Sequence, residues 1–199
     1  MTIYQLVGKV PPMDRREQLI QAARGQIQRK GYNGFSYADL ADEVGIRKAS
    51  IHHHFATKAD LGCAVANQYR QDFDQALQLI NGSQRSALDQ LWDYMGLYRK
   101  TLLEDHKICL CMMLASDRDA LPETIRAEVA RFFAANEQWL SQLLTRGQAA
   151  GELSLNDTAE HTAMAILATL EGAMVVSQSM NAPQKFDAVC QWLIASLKA

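Results

Sequence analysis

Cations, hydroxyl groups and imidazoles are concentrated in one short stretch, residues 47–58, in which three histidines follow one another. Such side chains bond phosphate oxygens and the edges of bases. Three histidines also suggest a metal site, but consecutive helical residues point about 100° apart and cannot converge on one ion. We therefore predict contact with DNA and no metal. The predicted contact residues are Ser36, Tyr37, Arg47, Lys48, Ala49, Ser50, His52, His53, His54 and Lys58.

A short helix is predicted directly before this stretch. Ser36 and Asp39 have the spacing of a capping box, in which hydroxyl and carboxylate bond the free N–H groups of the first turn. Gly45 supplies the left-handed residue that ends such a helix, and Ile46 fills the angle to the next helix. The pattern indicates a helix-turn-helix.

Ile51 and Phe55, four residues apart, are predicted to anchor the second helix of this pair. The polar residues around them are then left to face a DNA groove. Thr57 and Asp60 repeat the capping box, so a further helix begins there. Lys58 lies in its first turn, where a cation opposes the helix dipole, and a phosphate partner would explain that placement.

Residues 14 to about 72 resemble the DNA-binding domain of the TetR-type transcriptional regulators. The matching positions are Gly31-Tyr32, Ser36, Leu40-Ala41, Gly45-Ile46, Lys48, Ile51, His53, Phe55, Lys58 and Leu61. The resemblance implies a homodimer that binds a palindromic double-stranded DNA operator. It also implies a C-terminal domain that binds a small-molecule effector.

Charge is unevenly distributed along the chain. Residues 1–60 contain nine Lys and Arg against six Asp and Glu, a net charge of +3, whereas residues 61–199 contain eleven against sixteen, a net charge of −5. A basic N-terminal part attracts the phosphate backbone, and an acidic remainder keeps nonspecific DNA away from itself.

The location of the protein is predicted from what its sequence lacks. It contains no run of eighteen apolar residues, and its N-terminus does not have the pattern of a signal peptide, so we expect a cytoplasmic protein without membrane contact. Cys63, Cys109, Cys111 and Cys190 lack the spacing of metal ligands and are expected to be free thiols.

Apolar residues recur at helical spacing through the rest of the chain, without strand-like alternation or internal repeats. The predicted fold is all-α. We expect an N-terminal tail at residues 1–13, a TetR-type helix-turn-helix domain at 14–72, and an effector-binding and dimerisation domain at 73–199.

The last two helices are predicted to form the dimer. The penultimate helix is apolar around most of its circumference, which requires cover on most sides. The last helix has two apolar stripes, so two partners are implied. The smaller stripe consists of Ala188, Trp192 and Ala195. We assign the dimer interface to the larger stripe, which consists of Phe186, Val189, Cys190, Leu193, Ile194 and Leu197.

Large or soft apolar side chains, together with a few polar groups, are candidates for an effector pocket in the C-terminal domain. Most such residues are ordinary core, so a packed interior is the alternative. Because His106 and Lys107 precede Cys109 and nearby cations lower a thiol pKa, Cys109 is also a candidate sensor of thiol-reactive compounds. The pocket candidates are Trp92, Met95, Tyr98, Cys109, Met112, Met113, Phe133, Trp139, His161, Met164 and Glu171.

Enzyme motifs such as a nucleophile elbow, a phosphate loop, a dinucleotide fingerprint or H-E-x-x-H do not occur in the sequence. We therefore expect a ligand-responsive repressor without catalytic residues or a cofactor. It would be released from DNA by a small apolar or thiol-reactive effector. The alternative is an architectural or constitutive DNA-binding protein of the same fold that has no effector.

Overall fold

The computed structural model describes residues 14–104 and 107–198, and these form helices joined by short turns. The predicted N-terminal tail lies outside the described residues. The all-α prediction is confirmed. The helices are α1 (Arg15–Lys30), α2 (Tyr37–Val44), α3 (Lys48–His54), α4 (Lys58–Gly82), α5 (Ala87–Leu103), α6 (Leu110–Ser116), α7 (Glu123–Ala149), α8 (Ala159–Ser179) and α9 (Gln184–Leu197).

The helix ends follow from local capping chemistry. Both predicted capping boxes form, one at Ser36 with Asp39 and one at Thr57 with Asp60. Gly45 ends α2 with φ of 69°, a left-handed conformation that glycine adopts without a Cβ clash. The cap of α5 was not predicted from the sequence. This helix begins after Ser86, whose hydroxyl accepts a hydrogen bond from the N–H of Asp89.

The first three helices enclose a small core. Leu19 and Ile27 of α1, Leu40 of α2 and Ile51 of α3 are fully buried. Burial of an aliphatic side chain contributes about 1.5–3 kcal/mol, so the hydrophobic contacts of these helices hold the short α2 and α3 in place.

Helix α4 continues through both parts of the molecule. Its first half packs on α1 and buries Leu61 and Val65, and its second half contributes Tyr69, Phe73 and Leu77 to the core of the C-terminal part. The expected domain boundary after residue 72 therefore falls inside a helix. A rotation of α4 would move both parts together.

Two hydrogen bonds connect α1 and the turn after it to the segments on either side of α6. The Gln28 side-chain amide donates to the Ile108 carbonyl at 3.0 Å. The backbone N–H of Tyr32 donates to the Asp117 carboxylate at 2.8 Å. Both ends of α6 are thus tied to the N-terminal helices, and a shift of α6 would be transmitted to them.

Helix α8 packs against both α7 and α9, and these helices complete the C-terminal part. Ile166, Leu167 and Leu170 of α8 are buried against these neighbours, but the opposite side of α8 is exposed within a single chain. Among the described helices none is long and apolar enough to cross a membrane.

Candidate DNA interface and buried polar cluster

The polar side of α3 faces outward, as expected for a helix that reads DNA. Ile51 is fully buried and holds the helix to the core, and the Phe55 backbone N–H closes its last turn by donating to the Ile51 carbonyl at 2.8 Å. The exposed side chains of this segment are those of Arg47, Lys48, Ala49, His52, His53 and His54, with Ser50 partly exposed.

His52 is held in one orientation by the turn after α3. Its Nδ1 lies 3.1 Å from the Ala56 carbonyl oxygen, and its ring meets the Tyr37 ring edge-on at 5.0 Å. Because a carbonyl oxygen can only accept, we assign the hydrogen to Nδ1. This leaves Nε2 as the ring nitrogen for a DNA contact.

The structure corrects the predicted role of Tyr37. Its side chain is buried, and its hydroxyl lies 2.6 Å from the Thr57 carbonyl oxygen and 3.1 Å from that of Phe55. The hydroxyl proton is therefore used inside the domain. Tyr37 joins α2 to the start of α4 and supports the ring of His52, so it positions the DNA-facing residues and is not one of them.

Lys58 also points inward. Its ammonium donates to the Phe35 carbonyl oxygen at 2.6 Å and lies 4.2 Å from the Phe35 ring centroid and 4.9 Å from that of Tyr32. Burial lowers the pKa of this ammonium group, although Asp39 and Asp117 partly offset that effect. The ammonium group thus has a hydrogen bond within the domain, and its phosphate contact stays a prediction.

We expect Lys58→Met to lower the free energy of unfolding by about 1–2 kcal/mol, because a charge-assisted hydrogen bond and a cation–π contact are lost. The exposed Lys48→Met is the matched control and should leave stability unchanged. Urea denaturation measures both. Lys58→Met could instead leave stability unchanged and lower the slope of log affinity against log salt concentration by the amount expected for about one phosphate contact per chain. That result would support the predicted phosphate contact.

Sequence reasoning missed Arg16 as a candidate for the DNA-facing surface. Its side chain is exposed, and its guanidinium lies 5.1 Å from the centroid of the Phe55 ring, beside the end of α3. The signal was available, since Arg16 lies in the first turn of α1, where a cation opposes the helix dipole in the same way as Lys58.

The C-terminal part has a continuous group of stacked and edge-on aromatic rings at its centre. Neighbouring ring centroids are 5.1 to 6.3 Å apart. We refer to this group as the ring cluster, which consists of Tyr69, Phe73, Tyr94, Tyr98, Phe132 and Trp139.

A buried carboxyl group lies beside this ring cluster. Glu171 of α8 is 5% exposed, and neither carboxyl oxygen accepts from a nitrogen or oxygen donor among the described residues, so the weak S–H donor of Cys109 is the hydrogen-bonding group that acts on it. Burial raises its pKa to about 7, an effect that the Cys109 thiol partly offsets. Burial raises the pKa of the Tyr94 and Tyr98 hydroxyls, and the charge of Glu171 adds to that effect. These groups form one electrostatically coupled cluster.

The predicted pocket residues fall into three sets. Met95, Tyr98, Cys109 and Glu171 are buried together with the ring cluster, as predicted for an interior site. Met112, Met113, Phe133 and Trp139 are partly buried against the core. The third set does not belong to such a site, because it is exposed, and it consists of Trp92, Met164 and His161.

His161 lies near the N-terminus of α8 rather than over the ring cluster. Its ring nitrogen Nδ1 lies 3.2 Å from the carboxylate of Asp157, and its backbone N–H donates to the Thr158 hydroxyl. Thr158 is thus the N-cap of α8, and His161 lies in the first turn that Thr158 caps.

The expectation that Cys109 has a lowered thiol pKa is wrong. The thiol is buried, and burial raises its pKa, with further contributions from the charge of Glu171. The Tyr69 hydroxyl donates to its sulfur at 3.6 Å. His106 lies outside the described residues. A thiol that is buried and neutral is a poor nucleophile, which argues against Cys109 as a sensor of thiol-reactive compounds.

Two family models match the chain. Residues 19–65 match the model described as bacterial regulatory proteins of the tetR family. Residues 87–193, more than half of the chain, match the model described as the C-terminal domain of tetracyclin repressor-like proteins. The chain belongs to the TetR family. Like other TetR-family members it is a transcriptional regulator with a DNA-binding helix-turn-helix.

Individual proteins of the family are similar over nearly the full chain. A TetR-family regulator from Agrobacterium tumefaciens has 38% identity and a TM-score of 0.89, covering 92% of this chain and 97% of that one. A TetR regulator from Legionella pneumophila has 28% identity and a TM-score of 0.85, covering 93% and 98%. The regulator CymR of Pseudomonas putida is 29% identical over 187 residues, 89% of this chain and 86% of CymR.

Within this TetR fold the terminal helices are oriented differently from the prediction. The larger stripe of α9 faces the core of its own chain, because Phe186, Leu193 and Leu197 are at most 5% exposed. Cys190 and Ile194 are also buried, and Val189 is partly buried. The assignment of that stripe to the dimer interface is therefore wrong, since its side chains are already covered.

The smaller stripe of α9 is the one left open. Trp192 is 65% exposed and has Ala188 and Ala195 one turn to either side. Next to it, the exposed side of α8 is almost free of charge over five turns. We call the two together the uncovered face; it consists of Met164, Ala165, Ala168, Gly172, Val176, Met180, Ala188, Trp192 and Ala195.

Proposed function

We propose that this TetR-family protein is a ligand-responsive repressor that binds a palindromic operator as a homodimer in the cytoplasm. The observation that carries the proposal is the pairing of one exposed, cation-bearing helix, α3, with one uncovered apolar face on α8 and α9. A single copy leaves both surfaces without a partner.

The uncovered face supports a second copy of the chain as its partner. Monomeric proteins seldom expose a contiguous apolar surface that includes a tryptophan and two methionines. A two-fold axis through this face would place the same residues of both copies against each other, which forms a four-helix bundle from two α8 and two α9 helices. Family membership supports the same arrangement.

A two-fold dimer has two copies of α3, so its operator should contain two related half-sites. Their centres should be separated by about one helical turn of DNA, ~34 Å, or slightly more. Selection of bound duplexes from a random pool by the full-length protein tests this directly. A palindrome with that spacing is expected, and a selected sequence without inverted symmetry would contradict the dimeric mode.

Lys48 is expected to read bases, because it is exposed at the start of α3 where side chains enter the major groove. Lys48→Ala should therefore change the order in which variants of the selected operator are bound, by about 1–3 kcal/mol at the affected base pair. Fluorescence anisotropy with single-base variants measures it. Lys198→Ala, an exposed cation at the other end of the chain, is the control.

A uniform loss across all operator variants would show instead that Lys48 contacts phosphate. In that case the slope of log affinity against log salt concentration should also fall by the amount expected for about one phosphate contact per chain.

Release of DNA requires a ligand that prefers another arrangement of the C-terminal part. The preference must amount to a few kcal/mol to shift the equilibrium substantially. Glu171 and the ring cluster support an interior binding site, and α4 and α6 supply the connection, since α4 runs through both parts and α6 is tied to Gln28 and Tyr32. Screening compounds for release of the selected operator tests this step.

A further inference from the structure

The unpaired carboxyl group of Glu171 indicates the chemistry of the ligand. It is 5% exposed, and no Lys, Arg or His among the described residues forms a salt bridge with it. A buried polar group without partners is destabilising, and natural proteins keep few of them without a functional reason.

The nearby hydroxyl protons are already used by other acceptors. The Asn136 amide nitrogen donates to the Phe132 carbonyl at 2.8 Å, which turns the amide oxygen toward Tyr94 at 3.0 Å. Tyr94 must therefore donate to Asn136. It follows that Tyr98, whose oxygen lies 3.1 Å away, donates to Tyr94.

The third tyrosine is also committed, because the Tyr69 hydroxyl donates to the sulfur of Cys109. No tyrosine hydroxyl of the cluster is left to donate to Glu171. The remaining donor is the thiol of Cys109, a weak one, which acts on Glu171. When Glu171 is ionised, its oxygens and those of Tyr69 and Tyr98 can otherwise only accept. The cluster has an excess of acceptors, so a ligand that fits it must bring donors.

We propose that the C-terminal domain binds an organic ammonium compound, whose N–H groups donate to the Glu171 carboxylate and whose hydrocarbon part packs on the ring cluster. An ammonium group supplies three donors and the opposite charge. The faces of tyrosine and tryptophan rings attract a cation as well. A ligand carboxylate or phosphate would instead face an ionised carboxylate in a medium of low dielectric constant.

A surface cleft exposes part of two rings of the cluster, and Glu171 is not among its lining residues. It has a volume of about 220 Å³, and both Tyr69 and Phe73 of the ring cluster line it. Arg24 of α1 also lines it, with its guanidinium 4.6 Å from the Tyr69 ring centroid and 2.8 Å from the Asp72 carboxylate. A ligand that displaces Tyr69 would therefore also displace a contact with the DNA-binding part.

This inference rests on the proposed ligand response, and its test uses matched probes. Isothermal titration calorimetry of the full-length protein uses 2-phenylethylammonium, neutral 2-phenylethanol and anionic phenylacetate. The three probes share a phenyl ring and differ in whether the attached polar group is cationic, neutral or anionic. We expect the ammonium compound to bind at least about tenfold more tightly than the alcohol, and the anion to bind most weakly.

Glu171→Gln should remove most of that preference. Glu160→Gln, an exposed glutamate on the same helix, is the control and should keep the full preference. The inference is overturned if the alcohol or the anion binds as tightly as the ammonium compound. It is also overturned if none of the probes binds, or if Glu171→Gln retains the preference.

Failure of this inference can be distinguished from failure of the proposed function. If a neutral or anionic compound releases the selected operator, the repressor proposal stands and the ammonium assignment is wrong. If no operator is selected, the repressor proposal is wrong, and the titrations still decide whether Glu171 binds ammonium compounds.

Discussion

Replacing Trp192 by glutamate should convert the dimer into monomers and lower operator affinity by at least about a hundredfold. Trp192 is the largest side chain of the uncovered face, and large aromatic residues near the centre of an interface dominate binding energy. Two glutamates related by a two-fold axis would also place unpaired charge in the interface. A monomer then contacts a single half-site and lacks the avidity of a dimer that binds both half-sites at once.

Light scattering at micromolar concentration and anisotropy with the selected operator measure both effects. Leu79→Glu is the matched control, because Leu79 is 78% exposed at the end of α4 and does not belong to the uncovered face. It should remain dimeric and bind DNA normally. Circular dichroism should show that Trp192→Glu keeps its helices. A Trp192→Glu protein that stays dimeric would rule out this face as the dimer interface.

The second large effect is on stability. Glu171→Gln should stabilise the unliganded protein at pH 8, because it removes a buried carboxylate that has no salt-bridge partner and no nitrogen or oxygen donor among the described residues. At pH 4.5 the substitution should have much less effect, since the folded protein then holds Glu171 in its neutral form. The substitution thus trades the proposed ligand contact for stability.

The direction of this change with pH follows from the pKa of Glu171, which burial raises from 4.5 to about 7. Between these values the unfolded chain releases the proton while the folded chain keeps it, so the free energy of unfolding falls as pH rises. The fall amounts to about 3 kcal/mol from pH 4.5 to pH 8. Glu171→Gln should lack this component.

Other groups near Glu171 do not titrate in that range. They are Tyr69 from α4, Tyr94 and Tyr98 from α5, and Cys109 and Cys111 from α6, and burial, with the charge of Glu171, raises the pKa of each. Urea denaturation at a fixed protein concentration, at pH 4.5 and pH 8, measures the effect. Glu160→Gln should follow the unmodified protein, and identical pH dependence in Glu171→Gln would contradict the buried-charge assignment.

Short-range patterns in the sequence were enough to predict the local features of this protein. The capping boxes at Ser36 and Thr57, the turn at Gly45 and the inward anchor at Ile51 all form as predicted. Each depends on residues within four positions of one another, and the chemistry of a cap or a turn is nearly independent of the rest of the fold. The all-α fold followed from the same short-range patterns.

Tertiary structure alone decided which way the ambiguous side chains point. The last helix has two apolar stripes, and periodicity cannot tell which of them the chain covers itself. Packing against α5 and α8 covers the larger stripe and leaves Trp192 exposed. From the sequence, the Lys58 side chain could point toward DNA or toward the protein. In the structure it points toward the protein, because its ammonium donates to the carbonyl oxygen of Phe35, 23 residues earlier.

The site around Glu171 depends most strongly on distant parts of the chain. Its environment is made by Tyr69, Tyr94 and Cys109, residues between 62 and 102 positions away in the sequence. A sequence pattern shows that a glutamate interrupts an apolar helix, but it does not show whether a cation will pair with it. Only the packed arrangement shows that the surrounding hydroxyl protons are used elsewhere and that this carboxyl group faces no donor stronger than the Cys109 thiol, because hydrogen bonds are short and directional.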